Sequence, residues 1–239
     1  MFKNLLLICA IPCLLWSCGN RAGKDKTTAA GDIPATSATP IDTVTLGNKT
    51  FFVYNIDSVT FEKYPQPAML DSSEQDALKK DSTVKRNGEK LSFRLANGKE
   101  LTLTNNTSDE EGFTSYSYIA NLPQIKRKGV YVTYNESNDF LLVNPDNGDT
   151  LHTWSAPILS PDKKYLLCAS LDLVAAFVPN GFQLFSLDNG KITYVGEENL
   201  EDWGPSSVKW VNDKTILCEY ITINEDGNTQ ANYVKLVMQ

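Results

Sequence analysis

Residues 82–106, "STVKRNGEKLSFRLANGKELTLTNN", alternate apolar and polar positions in short runs that are interrupted twice by Asn-Gly. The pairs Asn87-Gly88 and Asn97-Gly98 supply the positive φ angles of tight hairpin turns, so three antiparallel strands are expected here. In the third run Leu101 and Leu103 share one face and Thr102 and Thr104 the other, the pattern of a half-buried strand. Upstream, "KTFFVYNI" from Lys49 is rich in β-branched and aromatic residues and marks the expected start of order. Between the two, "LDSSEQDALKK" carries Asp71 three residues before Glu74, which predicts one short helix with a capping box.

Beyond Phe113 the pattern repeats. "FLLVNPDNGDTL" at 140–151 lies over "FQLFSLDNGKIT" at 182–193 without a gap and shares the Asp-Asn-Gly turn. "PILSPDKKYLLC" at 157–168 lies over "SVKWVNDKTILC" at 207–218, with Lys164 over Lys214, Leu167 over Leu217 and Cys168 over Cys218. Trp154 with Pro157 and Trp203 with Pro205 occupy comparable connections, and "YSYIANLPQIKRKGVYVTYNESNDFLLVNP" fits as a divergent upstream copy. The unit is strand, turn, strand, connection and another strand pair, recurring at a little over 40 residues.

A unit of that length with "SPDKKYL" at its corner resembles the β-propeller repeats of the WD and YVTN type. Lys163 stands where that turn commonly has Gly, and neither a Gly-His nor a Trp-Asp dipeptide is present. The resemblance covers residues 113–239 and implies an all-β protein of antiparallel, blade-like sheets. These are expected to form a partial or small propeller-like stack, an open arc more than a closed ring, with a β-sandwich as the alternative and one short helix towards the N-terminal side.

The first residues change the picture from fold to location. "MFKNLLLICAIPCLLWSC" has a basic start and a twelve-residue apolar run, Leu5 to Trp16, too short to span a bilayer and suited to a secretory signal. Its end resembles a bacterial lipobox: Leu15, Ser17 and Cys18 fit that pattern, although Trp16 is bulkier than usual. The resemblance implies cleavage after residue 17 and lipidation of Cys18. Each acyl methylene buried in a membrane contributes about 0.8 kcal/mol, so two or more chains hold a protein there stably. No Asp follows Cys18, which points to the outer membrane of the cell envelope. Residues 19–46, rich in Thr, Ala, Gly, Pro and Asp, cannot offset their own ordering entropy. The expected organisation is a signal at 1–17, a flexible tether at 18–47, a β-meander with a short helix at 48–110, and propeller-like repeats at 111–239.

Charge and chemistry exclude more than they assign. With 29 acidic and 22 basic residues in 239 the chain carries a net charge of −7, which repels phosphate backbones and argues against nucleic acid. The basic cluster Lys126-Arg127-Lys128 is too short to reverse this. Cys168 and Cys218 sit in apolar strand patterns and read as buried thiols. His152, the one histidine, lies in a strand without a recognisable nucleophile partner. Acid-rich turns such as "NPDNGDT", "SLDNG", "NEDGN" and "TSDEEG" hold hard oxygen ligands, yet Asp and Asn are also the preferred turn residues.

Three functions follow as expectations. The first is a lipid-anchored envelope protein, non-catalytic and without cofactor or metal, that binds a protein or glycan; Trp154, Trp203 and Trp210 are its candidate binding aromatics unless they serve as spacers between repeats. The second is a small envelope hydrolase using carboxylates of Glu197, Glu198, Glu201 and Asp202. The third is an inhibitor or immunity-type factor presenting the hairpin at 87–98.

Overall fold

Antiparallel pairing dominates the computed structural model, which describes residues 33–37, 39–67, 70, 73–108 and 112–239. The described chain starts with β1 (Asp42–Leu46), β2 (Lys49–Ile56), and two short helices, α1 (Ser58–Glu62) and α2 (Glu74–Lys80). A three-stranded meander follows, β3 (Val84–Asn87), β4 (Lys90–Arg94) and β5 (Glu100–Thr104). The next sheet is β6 (Thr114–Leu122), β7 (Arg127–Tyr134), β8 (Asn138–Val143) and β9 (Thr150–Thr153). The third is β10 (Ile158–Leu159), β11 (Tyr165–Ser170), β12 (Gly181–Asp188) and β13 (Lys191–Asn199). The fourth contains β14 (Gly204–Asn212), β15 (Thr215–Ile223) and β16 (Thr229–Met238), and its order runs β14-β15-β16-β2-β1.

The four sheets pack in series, and the strand sequences show why. On β8, Leu141 and Val143 join Leu91, Phe93 and Leu95 of the first sheet, while Phe140 and Leu142 join Leu166, Cys168 and Phe185 of the third. On β11 the faces divide again, Leu166 and Cys168 towards the second sheet and Leu167 towards Ile216, Cys218, Val234 and Leu236 of the fourth. A strand buried on both faces reads as an unbroken apolar run, as "FLLV" and "YLLC" do. The far side of the fourth sheet is closed by Ile33 and Phe61 of α1 over Leu217. No core cluster among the described residues joins the fourth sheet to the first. The fold is therefore all-β, a partial stack of blade-like sheets, with no closed barrel.

The repeats correspond in space as well as in sequence. Residues 140–151 and 182–193 each form a third strand, an Asp-Asn-Gly turn and a fourth strand. Residues 157–168 and 207–218 each form the first two strands of a sheet. The Asp-Asn-Gly turns differ in size: β12 and β13 close over Asn189 and Gly190 alone, whereas β8 and β9 close over a longer loop in which the Gly148 amide donates to Asn144 O at 2.9 Å. Lys163 has φ +60°, the left-handed conformation for which that corner commonly uses glycine.

Several expected boundaries shift. The tether expected to reach residue 47 ends earlier: Ile33 is buried, and Asp42–Leu46 pairs with β2 through a turn at Gly47. Thr43, Val44, Thr45 and Leu46 alternate like any edge strand, with Val44 and Leu46 fully buried. The meander expected over 48–110 is not one unit, because β2 leaves it to pair with β16, from Met238↔Phe51 to Tyr233↔Ile56. A helix additional to the expected one, α1, starts at Asp57, whose carboxylate accepts from the Thr60 amide at 2.6 Å. The expected helix starts at Ser73, its cap, and Asp71 lies outside the described residues. Both Asn-Gly hairpins form: the first is shifted by a residue, with Asn87 paired to Lys90 and Gly88-Glu89 as the loop, and the second is a residue longer, its loop holding Ala96, Asn97 and Gly98.

Candidate functional site

The first strands of the second, third and fourth sheets come together along one groove of about 730 Å³. Leu122 at the end of β6, Ala156 and Pro157 leading into β10, Ile158 and Leu159 on it, and Val208 on β14 form its apolar walls. Gln66, Pro67 and Leu70, on the connection from α1 to α2, and Gln124 and Ser207 complete the lining, which among the described residues includes no charged side chain. The volume lies in the range of small-ligand sites.

The backbone along this groove is irregular in a way that shapes it. Pairing of β14 with β15 slips between Ser206 and Lys209, and Ser207 inside that bulge has φ +49°. A left-handed serine costs of order 1 kcal/mol or more and persists only where its surroundings hold it. Here Ser207 Oγ donates to Glu219 Oε2 at 2.8 Å. Lys209, next but one, is 2% exposed; its Nζ donates to Phe61 O at 2.9 Å and Tyr64 O at 2.6 Å and lies 3.6 Å from the Phe61 ring centroid. That ammonium caps α1 and fixes where the chain leaves towards Gln66. Burial holds its pKa below the usual lysine value.

The three candidate tryptophans do not gather on an exposed rim. Trp203 is 1% exposed, stacked on Tyr220 with centroids 4.3 Å apart and edge-on to Phe182, with Nε1 donating to Asp42 Oδ2 at 2.7 Å. It is a spacer between the third and fourth sheets and offers no ring to a ligand. Trp210 is half-buried, and its Nε1 donates to Ile158 O at 3.3 Å, steadying β10 from behind the groove. Trp154 packs with Ala156 and Leu159 against the core between the second and third sheets. Two of the three thus buttress the groove wall. The wall residues themselves were missed in the sequence, because strand alternation reveals a buried face but not which first strands converge.

Two of the four acidic candidates are engaged in holding the fold. Glu197 Oε2 accepts from Gln183 Nε2 at 3.0 Å, and Glu198 accepts from the Thr45 amide, anchoring β1. Glu201 and Asp202 are exposed on the loop beyond, and none of the four lines the groove. His152 is half exposed, with Nδ1 2.6 Å from Asp139 Oδ2, which also accepts from Tyr134 Oη at 3.2 Å. This cluster lies on the second sheet away from Ser207, whose hydroxyl is bonded to Glu219.

The Asp- and Asn-rich turns use their oxygens on their own backbone. Asn144 Oδ1 accepts from the Asp146 amide, Asn147 Oδ1 from Asp149, and Asn224 Oδ1 from both Asp226 and Asn228. Among the described residues no three His, Cys, Asp or Glu side chains gather into a metal-binding group. Part of "TSDEEG" lies outside the described residues, as do the signal and Cys18. No described helix is long and apolar enough to cross a membrane. Cys168 and Cys218 are free, fully buried thiols, both with pKa pushed up by burial, Cys168 to about 12. Comparison with protein-family models, curated proteins and solved structures finds no match.

Proposed function

We propose that this chain is a lipid-anchored protein of the cell envelope whose stacked sheets act as a non-catalytic binding module, with the groove at Leu122, Pro157, Ile158, Leu159 and Val208 as the ligand site. The observation that carries the reading is that lining: apolar walls from three sheets, two glutamine amides at Gln66 and Gln124, and no charge among the described lining residues. Such a surface suits an uncharged peptide segment with apolar side chains, held by burial and oriented by amide hydrogen bonds. Among the described lining residues the one hydroxyl, Ser207, donates to the Glu219 carboxylate. Anchoring rests on the lipobox-like end of the signal at Cys18.

Two measurements test the proposal separately. Metabolic labelling with a radioactive fatty acid marks the parent chain and not Cys18→Ser; a parent chain without label refutes the anchor. In thermal denaturation, uncharged hexapeptides with apolar side chains raise the melting temperature, by the equivalent of about 2.7 kcal/mol at a hundredfold excess over Kd. The Ala156→Glu variant, which places a charge in the groove, loses that shift. No shift with any peptide of the panel, or equal shifts in parent and variant, removes the groove as the site.

A further inference from the structure

The connection between β11 and β12, "LDLVAAFVPN" at 171–180, is a surface segment made mostly of apolar residues. Val174 is 80% exposed, Phe177 54% and Leu171 42%, and Ala175 and Ala176 between them are exposed too. The other large exposed apolar side chains of the described residues are scattered along the chain, at Ile41, Val59, Leu70, Tyr131, Tyr194 and Ile223, so this loop is a distinct concentration.

The loop is built. Asp172 folds its carboxylate back into it: Oδ1 accepts from the amides of Ala175 at 2.8 Å and Ala176 at 3.0 Å, and Oδ2 from Phe177 at 2.8 Å and Val178 at 3.1 Å. These bonds hold the Asp172 pKa below the usual carboxylate range. Ala176 takes φ +55° to complete the turn. At the base, Asn180 Oδ1 accepts from the Asp172 amide at 3.2 Å, and its Nδ2 donates to Leu200 O and Trp203 O at 2.7 and 2.8 Å. The result is a rigid apolar tip in which four successive backbone donors are already satisfied from within.

That combination suits lipid contact, because hydrocarbon supplies no acceptors and an unmet N–H there costs several kcal/mol, whereas these four amides are met from within. No lysine or arginine occurs from Tyr165 to Gly190, and the exposed Glu201 and Asp202 follow Leu200 at the base of the loop, so attraction to anionic headgroups is not the driving force. We propose that Leu171, Val174 and Phe177 insert into the interfacial region of a lipid bilayer, a second and non-covalent contact that orients the sheets on the membrane. The inference rests on the proposed anchoring at Cys18 for proximity to lipid, but its chemistry does not depend on that sulfur.

The test therefore uses residues 19–239, which lack both the apolar leader and Cys18 and retain all four core clusters. This chain co-floats with phosphatidylcholine vesicles, is not released by salt, and binds less well as phosphatidylglycerol is added. Val174→Asp with Phe177→Asp lowers partitioning at least about tenfold without lowering the melting temperature, because both side chains are exposed. Phe177→Trp gives a blue-shifted emission quenched by brominated acyl chains. Equal flotation of parent and double variant overturns the proposal, as does binding that grows with anionic lipid and vanishes in salt. Self-association that the double variant abolishes, without vesicle binding, overturns it in favour of a protein contact. Absence of a fatty-acid label on the parent chain overturns the anchor and leaves vesicle binding by residues 19–239 as the test of this contact.

Discussion

Asp81 uses both of its carboxylate oxygens to tie distant parts of the chain together. Its Oδ1 accepts from the Thr83 amide and hydroxyl at 3.0 and 2.6 Å, and its Oδ2 from Tyr118 Oη at 2.7 Å and from Lys128 Nζ. The Lys128 side chain is 7% exposed and that of Asp81 10%, so the pair welds the end of α2 to the second sheet out of water. Burial alone would raise the Asp81 pKa, but Lys128, Thr83 and Tyr118 outweigh it and bring it down to about 2. A folded-state pKa below the unfolded one gives stability that is present above about pH 4 and lost as pH falls through about 2. The shift is worth up to about 2 kcal/mol. Asp81→Asn leaves Lys128 buried without its anion and costs about 3–5 kcal/mol near neutral pH. Urea denaturation of both proteins should show that gap narrowing by up to about 2 kcal/mol between pH 5 and pH 2; a constant gap would mean that another carboxylate titrates there. At this scale the sequence was uneven. Cys168 and Cys218 were legible as buried thiols because apolar neighbours on a strand imply it. Asp81 was not, since its partners Tyr118 and Lys128 are distant in the chain and nothing local announces them.

Among the elements, β1 shows what sequence patterning leaves out. Its alternation is only four residues long and follows a stretch rich in Thr, Ala and Pro, so composition alone assigns it to a tether. What holds it is tertiary: Val44 and Leu46 enter the core between the third and fourth sheets, Glu198 accepts from the Thr45 amide, and the turn at Gly47 abuts β13. By contrast β3 to β5 were readable because two Asn-Gly turns and strict alternation agree; only the turn register moved by a residue. The contact at Gly47 can be weighed against a matched control. A Cβ at Gly47, where φ is +63°, would lie 2.0 Å from Val195 O, whereas one at Gly88, where φ is +55°, would meet nothing within 4 Å. Gly88→Ala therefore reports the left-handed conformation alone, of order 1–2 kcal/mol. Gly47→Ala adds a backbone clash and should cost clearly more, with β1 amides losing hydrogen-exchange protection first. Equal costs would show that β1 gives way without strain.

For the whole molecule, the decisive connection is the one between chain beginning and chain end. The repeats from 113 to 239 were visible in the sequence, and so was the chance that they would not close into a ring. What local patterning does not encode is that β2 completes the last sheet, because pairing partners far apart in sequence leave no periodic trace. The consequence is thermodynamic as well as topological. Phe51 and Val53 are fully buried among Phe182 and Leu184 of the third sheet and Val234 and Leu236 of the fourth, so one N-terminal strand strengthens the junction that Leu167 and Trp203 already make between two C-terminal sheets. A serial stack without such a strand would unfold sheet by sheet, as repeat arrays do when neighbour contacts weaken. Phe51→Ala removes a large side chain from this junction and should cost about 3–5 kcal/mol. If the clamp acts as the packing implies, hydrogen exchange in that variant accelerates together across β2, β11, β12, β15 and β16. Protection in β3 to β5, whose core is shared with β6 to β8, should persist at intermediate denaturant. Uniform loss of protection over all four sheets would show one cooperative unit in place of two joined ones, and loss confined to β1 and β2 would show that the C-terminal sheets hold together without them.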